Sequence, residues 1–145
     1  MPKLQDKIYG KMKWDDEELC WSSFVEVIPG DRIQVFIYAE TPLDFLAVRN
    51  TYQTYNRLLD KTIELRQWAM REITGNNARI SPKKRERQFI ANMIEKELRL
   101  FSVIIYEDLS ATVYFDAEIF EEGELVKVII EANGEFLLAV ISDGF

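Results

Sequence analysis

The chain has 145 residues, of which 48% are hydrophobic and 30% are charged, and its formal net charge at pH 7 is −7. This length and composition are typical of one globular domain, so we expect a single α+β domain over residues 1–145. Histidine is absent and there is one cysteine, which excludes serine–histidine and cysteine–histidine catalysis and zinc sites made of these ligands. The negative charge disfavours a nucleic-acid partner and attracts a basic protein.

Targeting segments are not evident in the sequence. Residues 1–7 contain no apolar run, which is unlike a signal peptide, and no apolar run in the chain reaches the roughly 20 residues of a membrane-spanning helix. The single cysteine, Cys20, cannot form an internal disulfide, and its neighbourhood favours a buried small hydrophobe over a reactive thiol. We therefore expect a cytoplasmic protein without a membrane partner.

The N-terminal third is predicted to form strands. Residues 21–27 and 33–39 each show a period-two alternation, which is typical of strands. Pro29-Gly30 between them suits the centre of a type II turn, so the two runs predict an antiparallel hairpin. A short strand over residues 8–14 is expected beside it.

The middle third is predicted to be helical. Thr41-Pro42, with Asp44 three residues after the threonine, indicates a helix start, and Gly75-Asn76 indicates its end. About 30 residues is long for one helix, so a kink or break is expected. A second helix is predicted to begin at Ser81-Pro82 and to bury an apolar stripe, comprising Phe89, Ile90, Met93, Ile94 and Leu98.

The final third predicts four more strands, over residues 100–106, 111–115, 125–130 and 136–141. Strands, helices and strands in separate blocks indicate an α+β fold. We expect an antiparallel sheet made from the N-terminal hairpin and the C-terminal four-strand meander, with two central helices packed on one face. The opposite face is expected to be apolar enough to suggest a homodimer, another partner or a curled sheet; its residues are Phe36, Tyr38, Phe101, Val103 and Ile105.

One acidic run is the leading candidate for a partner-binding site. Asp15, Asp16, Glu17 and Glu18 lie between Trp14 and Trp21, and tryptophans often anchor protein interfaces. Hard cations also prefer carboxylate oxygens, but the spacing does not match a calcium loop. A solvated loop between two strands is the third interpretation. We predict no metal site or cofactor.

Two further charged segments allow alternative functions. A basic segment precedes or opens the second predicted helix and could bind an anion, although the helix dipole disfavours cations there; it comprises Arg79, Lys83, Lys84, Arg85 and Arg87. A second acidic cluster could supply a general acid and base or form solvated loops; it comprises Glu107, Asp108, Asp116, Glu118, Glu121, Glu122 and Glu124. Glycine-rich nucleotide-binding motifs are absent.

The C-terminal half contains a set of fold-setting aromatics and turns, namely residues 100–108, residues 111–115, Phe120, Gly123, residues 126–130 and Asn133-Gly134-Glu135. In these residues the chain resembles a bacterial family known as domain of unknown function 2262. The resemblance implies an early hairpin, a long helix with an aromatic residue near Trp68 and a C-terminal meander. The family supplies no enzymatic activity to carry over. Where its members often have a histidine after the glycine, this chain has Glu124.

These observations favour a non-enzymatic, acidic protein-binding domain, such as an immunity protein or a phage-type inhibitor that neutralises a basic protein. The alternative is a small-molecule or nucleotide-binding module that uses the apolar sheet face or the basic segment 79–87. A third hypothesis is an enzyme that works through carboxylates or a metal.

Overall fold

The computed structural model describes residues 2–76, 98–117 and 123–142. This part of the chain is an α+β fold, as expected. Its elements, in chain order, are β1 (Lys3–Asp6), β2 (Gly10–Asp15), β3 (Cys20–Ile28), β4 (Asp31–Tyr38), α1 (Phe45–Asn50), α2 (Tyr52–Asp60), α3 (Thr62–Asn76), β5 (Arg99–Ile105), β6 (Ala111–Asp116), β7 (Leu125–Ile130) and β8 (Phe136–Ser142). The second predicted helix, from Ser81-Pro82, lies outside the described residues.

The eight strands form one sheet in which spatial order follows chain order. Every neighbouring pair is antiparallel except β4 and β5, which are parallel. The wholly antiparallel sheet that we predicted is therefore corrected to a mixed sheet. The reason is the crossover between β4 and β5, which contains the helices and returns the chain to the end of the sheet where β4 began.

The strands match their sequence patterns closely, with one addition. β3 and β4 form the expected hairpin, Gly30 takes the positive φ of +87° that its turn requires, and β7 coincides with the predicted residues 125–130. The early strand begins two residues later than predicted and pairs with the unpredicted β1. β1 has only four residues, too few for an alternation to be recognised.

Residues 45–76 form three helices, so the expected break of the long helix occurs twice. α1 begins after Asp44, whose carboxylate accepts the N–H of Ala47 at 3.1 Å, so the cap is three residues later than Thr41. The breaks fall at Thr51 and Lys61. At the first break the Thr51 hydroxyl donates to the Val48 carbonyl at 2.6 Å, a local bond that competes with helix continuation.

The main core lies between one face of the sheet and the helices. Strand residues such as Val35, Ile37 and Val113 share this cluster with Leu65 and Ile73 of α3. Hydrophobic burial of this kind stabilises the domain by about 25 cal/mol per Å² of apolar surface. It holds the ends of the strands, where the candidate sites lie, in fixed positions.

The predicted composition of the second sheet face needs a correction. Val103 and Ile105 lie in the core, because their parallel partners are Val35 and Ile37. Ile104, paired with Phe36, lies on the second face instead. Apolar residues run through β5 without alternation, so the sequence could not show which of them face the helices.

Candidate functional site

The two tryptophans of the predicted patch are core residues. Trp14 is 2% exposed and Trp21 is 1% exposed, and they pair across β2 and β3 with ring centroids 5.5 Å apart. The Trp14 indole N–H donates to the Asp16 carboxylate at 2.7 Å. These side chains are therefore not the exposed anchors that we expected, because the strand alternation turns both of them toward the helices.

The four acids of the same patch lie at the end of β2 (Asp15) and in the tight turn that follows it, and all are exposed. The Asp15 carboxylate accepts the N–H groups of Glu17 and Glu18 at 2.9 and 3.1 Å. The Asp16 carboxylate is hydrogen-bonded to Trp14. The backbone of Glu17 and Glu18 is hydrogen-bonded to Asp15, and their side chains are exposed. The turn therefore fixes its own backbone and presents negative charge to solvent.

The sheet brings further carboxylates to the same end. β2, β4 and β5 end where β3 and β6 begin, and the Ala39 N–H donates to the Leu19 carbonyl at 3.2 Å, which joins two of the connections. Residues 15–19, 39–44 and 106–110 contain no lysine or arginine. We call these three connections the acidic edge; seven of its exposed acids are Asp15, Asp16, Glu17, Glu18, Glu40, Glu107 and Asp108.

A stacked tyrosine pair lies within the acidic edge. The rings of Tyr38 and Tyr106 are 5.3 Å apart between centroids and 20° from parallel. With Glu107, Asp108 and Ser110 they line an open cavity of about 430 Å³. Tyr106 is 36% exposed, so an aromatic surface and carboxylates are accessible together. Sequence analysis did not identify this pair, because the two residues meet only through the parallel pairing of β4 and β5.

The protonation of this site is fixed by its surroundings. Hydrogen bonds from the Ser110 hydroxyl and N–H lower the pKa of the Asp108 carboxyl, so Asp108 stays ionised. Burial, followed by the nearby Cys20 thiol and Glu18 carboxylate, raises the pKa of Tyr38. At neutral pH a negative Asp108 carboxylate therefore lies near the neutral Tyr38 ring, an arrangement that attracts cations.

Two leucines of the acidic edge have a backbone conformation that glycine normally provides. Leu19 has a φ of +55° and Leu109 a φ of +69°, and they are the non-glycine residues with positive φ in the described part of the chain. Leu109 packs against the core, and this packing accounts for a leucine at a position with positive φ. Leu19 is 49% exposed, so core packing does not account for a leucine there.

The remaining candidates separate in space or lie outside the described residues. Asp116 and Glu124 lie at the opposite end of the sheet from Glu107 and Asp108, so the second acidic cluster is not one site. Its other members, Glu118, Glu121 and Glu122, lie outside the described residues, as does the whole basic segment, Arg79, Lys83, Lys84, Arg85 and Arg87. In the described ranges, no three acidic or cysteine side chains are grouped to hold a metal ion.

Comparisons leave the function to be argued from the site. Within the described residues, no helix is both long enough and apolar enough to cross a membrane. The resemblance to the domain of unknown function 2262 stays a prediction. The chain matches no protein-family model, no curated protein and no solved structure.

Proposed function

We propose that this chain is a non-enzymatic domain that binds a basic protein through its acidic edge, as an immunity protein or phage-type inhibitor does when it neutralises a target. The observation that supports this most strongly is the stacked pair Tyr38–Tyr106 among exposed carboxylates. Tyrosine is enriched at the energetic centres of protein interfaces, and carboxylates around it select a basic partner.

The role of the carboxylates in this proposal is to raise the rate at which the partner associates. Clustered like charges raise the association rate of an oppositely charged protein, and this effect weakens as salt is added. Because the Debye length is about 8 Å at physiological ionic strength, the attraction acts mainly over the last stage of approach. Glu17, Glu18 and Glu107 suit this role, since they are exposed.

The role of the tyrosine pair in this proposal is to slow the dissociation of the complex. A lysine or arginine side chain over an aromatic ring gains about 0.5–2 kcal/mol, depending on how much water is removed. The cavity beside Tyr38 and Tyr106 also offers Glu107 and Asp108 to the same cation. This pair takes the anchoring role that we had expected of Trp14 and Trp21.

Leu19 adds an apolar contact next to this pair. A left-handed backbone costs a non-glycine residue about 1–2 kcal/mol, and strain of this kind is concentrated at functional sites. Leu19 has this strained backbone although its side chain is half exposed. A partner that covers Leu19 supplies the burial that the free domain does not.

The small-molecule alternative gains no support at the apolar sheet face or the basic segment. Val103 and Ile105 of the supposed apolar face are buried in the core, and the segment 79–87 lies outside the described residues. A homodimer through the second face, which carries Phe24, Phe36 and Ile104, stays a prediction that sedimentation can test.

Site-specific photo-crosslinking tests the proposal and identifies the partner in the same experiment. A photoreactive residue is placed at Leu19 in one version of the chain and at Ile63 of α3 in the control, since both side chains are about half exposed. In the native host, we expect one dominant protein of basic isoelectric point to crosslink at Leu19 and not at Ile63. Equal capture at both positions, or none at Leu19, contradicts the proposal.

A further inference from the structure

A second cavity, of about 460 Å³, lies at the end of the sheet opposite the acidic edge. It lies where β4 and β5 begin, where β6 ends and where α2 meets α3. Its lining combines apolar side chains, among them Leu59, Leu100 and Phe101, with charged ones, among them Asp31, Arg66 and Asp116. The volume is within the range of small-molecule sites, about 300–1,000 Å³.

The interior of this cavity is apolar. Ile33, Leu98 and Phe115 are buried, and Leu59 and Leu100 are partly buried against the same core. These side chains come from β4, β5, β6, α2 and the residue before β5, so packing holds them in place. The accessible apolar surface is that of Leu59, Leu100 and the exposed Phe101, and it favours a hydrocarbon or aromatic ligand body.

One wall of the cavity carries a half-buried arginine. A guanidinium N–H of Arg66 donates to the Leu98 carbonyl at 3.2 Å, which satisfies one of its five N–H groups. Arginine stays charged at all ordinary pH values, and its planar fork matches a carboxylate. The desolvation of this charge is offset when an anion binds in the cavity.

The rim limits the charge that the ligand can carry. Arg32 lies over the Phe24 ring at 5.1 Å, and Arg99 is exposed beside the entrance. Two carboxylates, Asp31 and Asp116, also line the cavity. Because these acids repel a multiply charged anion, the lining favours a single negative charge over a nucleotide or a polyphosphate.

We infer that this cavity binds a small monocarboxylate with an apolar body, such as a medium-chain fatty acid. The carboxylate pairs with the Arg66 guanidinium, and the apolar body lies over Leu59, Leu100 and Phe101, lining side chains that keep accessible surface. This site is separate from the acidic edge and does not depend on the proposed protein-binding function. The two are tested by different variants, so either can fail without the other.

Calorimetric titration of the full chain with monomeric decanoate tests this inference, with decanol, decylamine and inorganic phosphate as comparison probes. We expect decanoate to bind at least about tenfold more tightly than each of the other three, since only it combines a single negative charge with an apolar chain. Equal binding of decanol, tighter binding of phosphate, or no binding of decanoate overturns the inference.

Variants of Arg66 locate the site. Arg66→Met is expected to weaken decanoate binding about tenfold and Arg66→Lys by less, because lysine keeps the charge but loses the two-pronged geometry. Arg57→Met is the control, since Arg57 lies on α2 against Gly134 and outside this cavity. Thermal unfolding checks that each variant is folded. If Arg66→Lys is folded and both Arg66 variants bind as the original chain does, the assignment of Arg66 is wrong.

Discussion

Asp6 is the buried charged side chain of the described part of the chain, and it organises the turn between β1 and β2. Its carboxylate accepts the N–H groups of Ile8 and Tyr9 at 2.8 and 2.9 Å. It also accepts the hydroxyl of Tyr52 from α2. Burial and this bond to Asp6 raise the pKa of Tyr52 to about 12. One carboxylate therefore joins an edge hairpin to the helical layer.

Removal of this carboxylate is expected to destabilise the fold. Asp6→Ala leaves two backbone N–H groups and a hydroxyl without their acceptor, which costs about 2–4 kcal/mol in the free energy of unfolding. Asp60→Ala, an exposed acid at the end of α2, is expected to change it by less than about 0.5 kcal/mol. Urea denaturation of both variants measures the difference, and equal values would refute the role of Asp6.

The raised pKa of the buried Cys20 thiol leads us to expect a loss of stability at alkaline pH. Burial, followed by the charges of Asp15 and Glu18, raises its pKa from 9.0 to about 11. The folded chain therefore keeps the thiol proton where the unfolded chain releases it. The stabilising contribution is complete below about pH 9 and is lost as pH rises toward 11. We expect Tm to fall over this interval, and to fall less steeply in Cys20→Ala. Identical slopes would contradict the assignment.

Tyr106 provides the residue-level test of the proposed interface. With the captured partner in hand, Tyr106→Ala is expected to raise the dissociation rate about tenfold, since anchor residues of this kind contribute about 1–2 kcal/mol. Tyr106→Phe keeps the ring that stacks on Tyr38 and loses a hydroxyl that lies 3.3 Å from Thr112. We expect it to bind almost normally. Surface plasmon resonance separates the two rates, and an unchanged dissociation rate in Tyr106→Ala counts against the anchor.

At the scale of the elements, the junction of α1 and α2 depends on a buried hydroxyl. Thr51 donates to the Val48 carbonyl at 2.6 Å and lies 2.7 Å from the Tyr9 hydroxyl. Because the one proton of Thr51 is used on Val48, Tyr9 is the donor of the second bond. The helix junction is thereby fixed to the sheet.

Substitution of Thr51 tests this connection. Thr51→Val keeps the shape of the side chain but leaves the buried Tyr9 hydroxyl without its acceptor, at a cost of about 1–3 kcal/mol. Thr51→Ser keeps the hydroxyl and is expected to lose less. The free energies of unfolding of the two variants decide the matter, and a valine variant as stable as the serine variant would show that the bond contributes nothing.

The elements also show what the sequence could predict. Alternation predicted β3 and β4, because burial on one face imposes a period of two. Apolar runs between turn residues predicted the four C-terminal strands to within one residue at each end. The parallel pairing of β4 and β5 could not be predicted, since it depends on the course of the crossover. The same crossover brings Tyr106 to Tyr38, so the acids of the proposed site were candidates from the sequence and its aromatic pair was not.

The burial of the tryptophans could have been predicted. Trp21 has the same strand parity as Ser23 and Val25, and its cross-strand neighbour Trp14 has to share its face. The alternation along the strands therefore decides which face of the sheet Trp14 and Trp21 occupy. Their closeness in sequence to the acids does not affect it. The predicted start of α1 was three residues too early. Thr41 and Asp44 are both suitable N-cap residues, so the sequence alone does not choose between them.

At the scale of the whole molecule, charge is divided between the two ends of the sheet. The acidic edge contains no lysine or arginine in its connections, whereas Arg32, Arg66 and Arg99 are grouped with two aspartates at the opposite end. A field of this kind would turn a basic protein toward the acidic edge before contact. The two proposed sites lie at opposite ends of this division.

The association rate of the captured partner tests the central claim most directly. The double variant Glu17→Gln/Glu107→Gln removes two charges from the acidic edge, and Asp60→Asn/Glu64→Gln removes two exposed charges from the helices. Both variants therefore carry the same net charge. At low salt we expect the first to associate roughly three- to tenfold more slowly and the second to match the original chain, with the difference disappearing at high salt. Equal association rates for the two variants would contradict binding through the acidic edge.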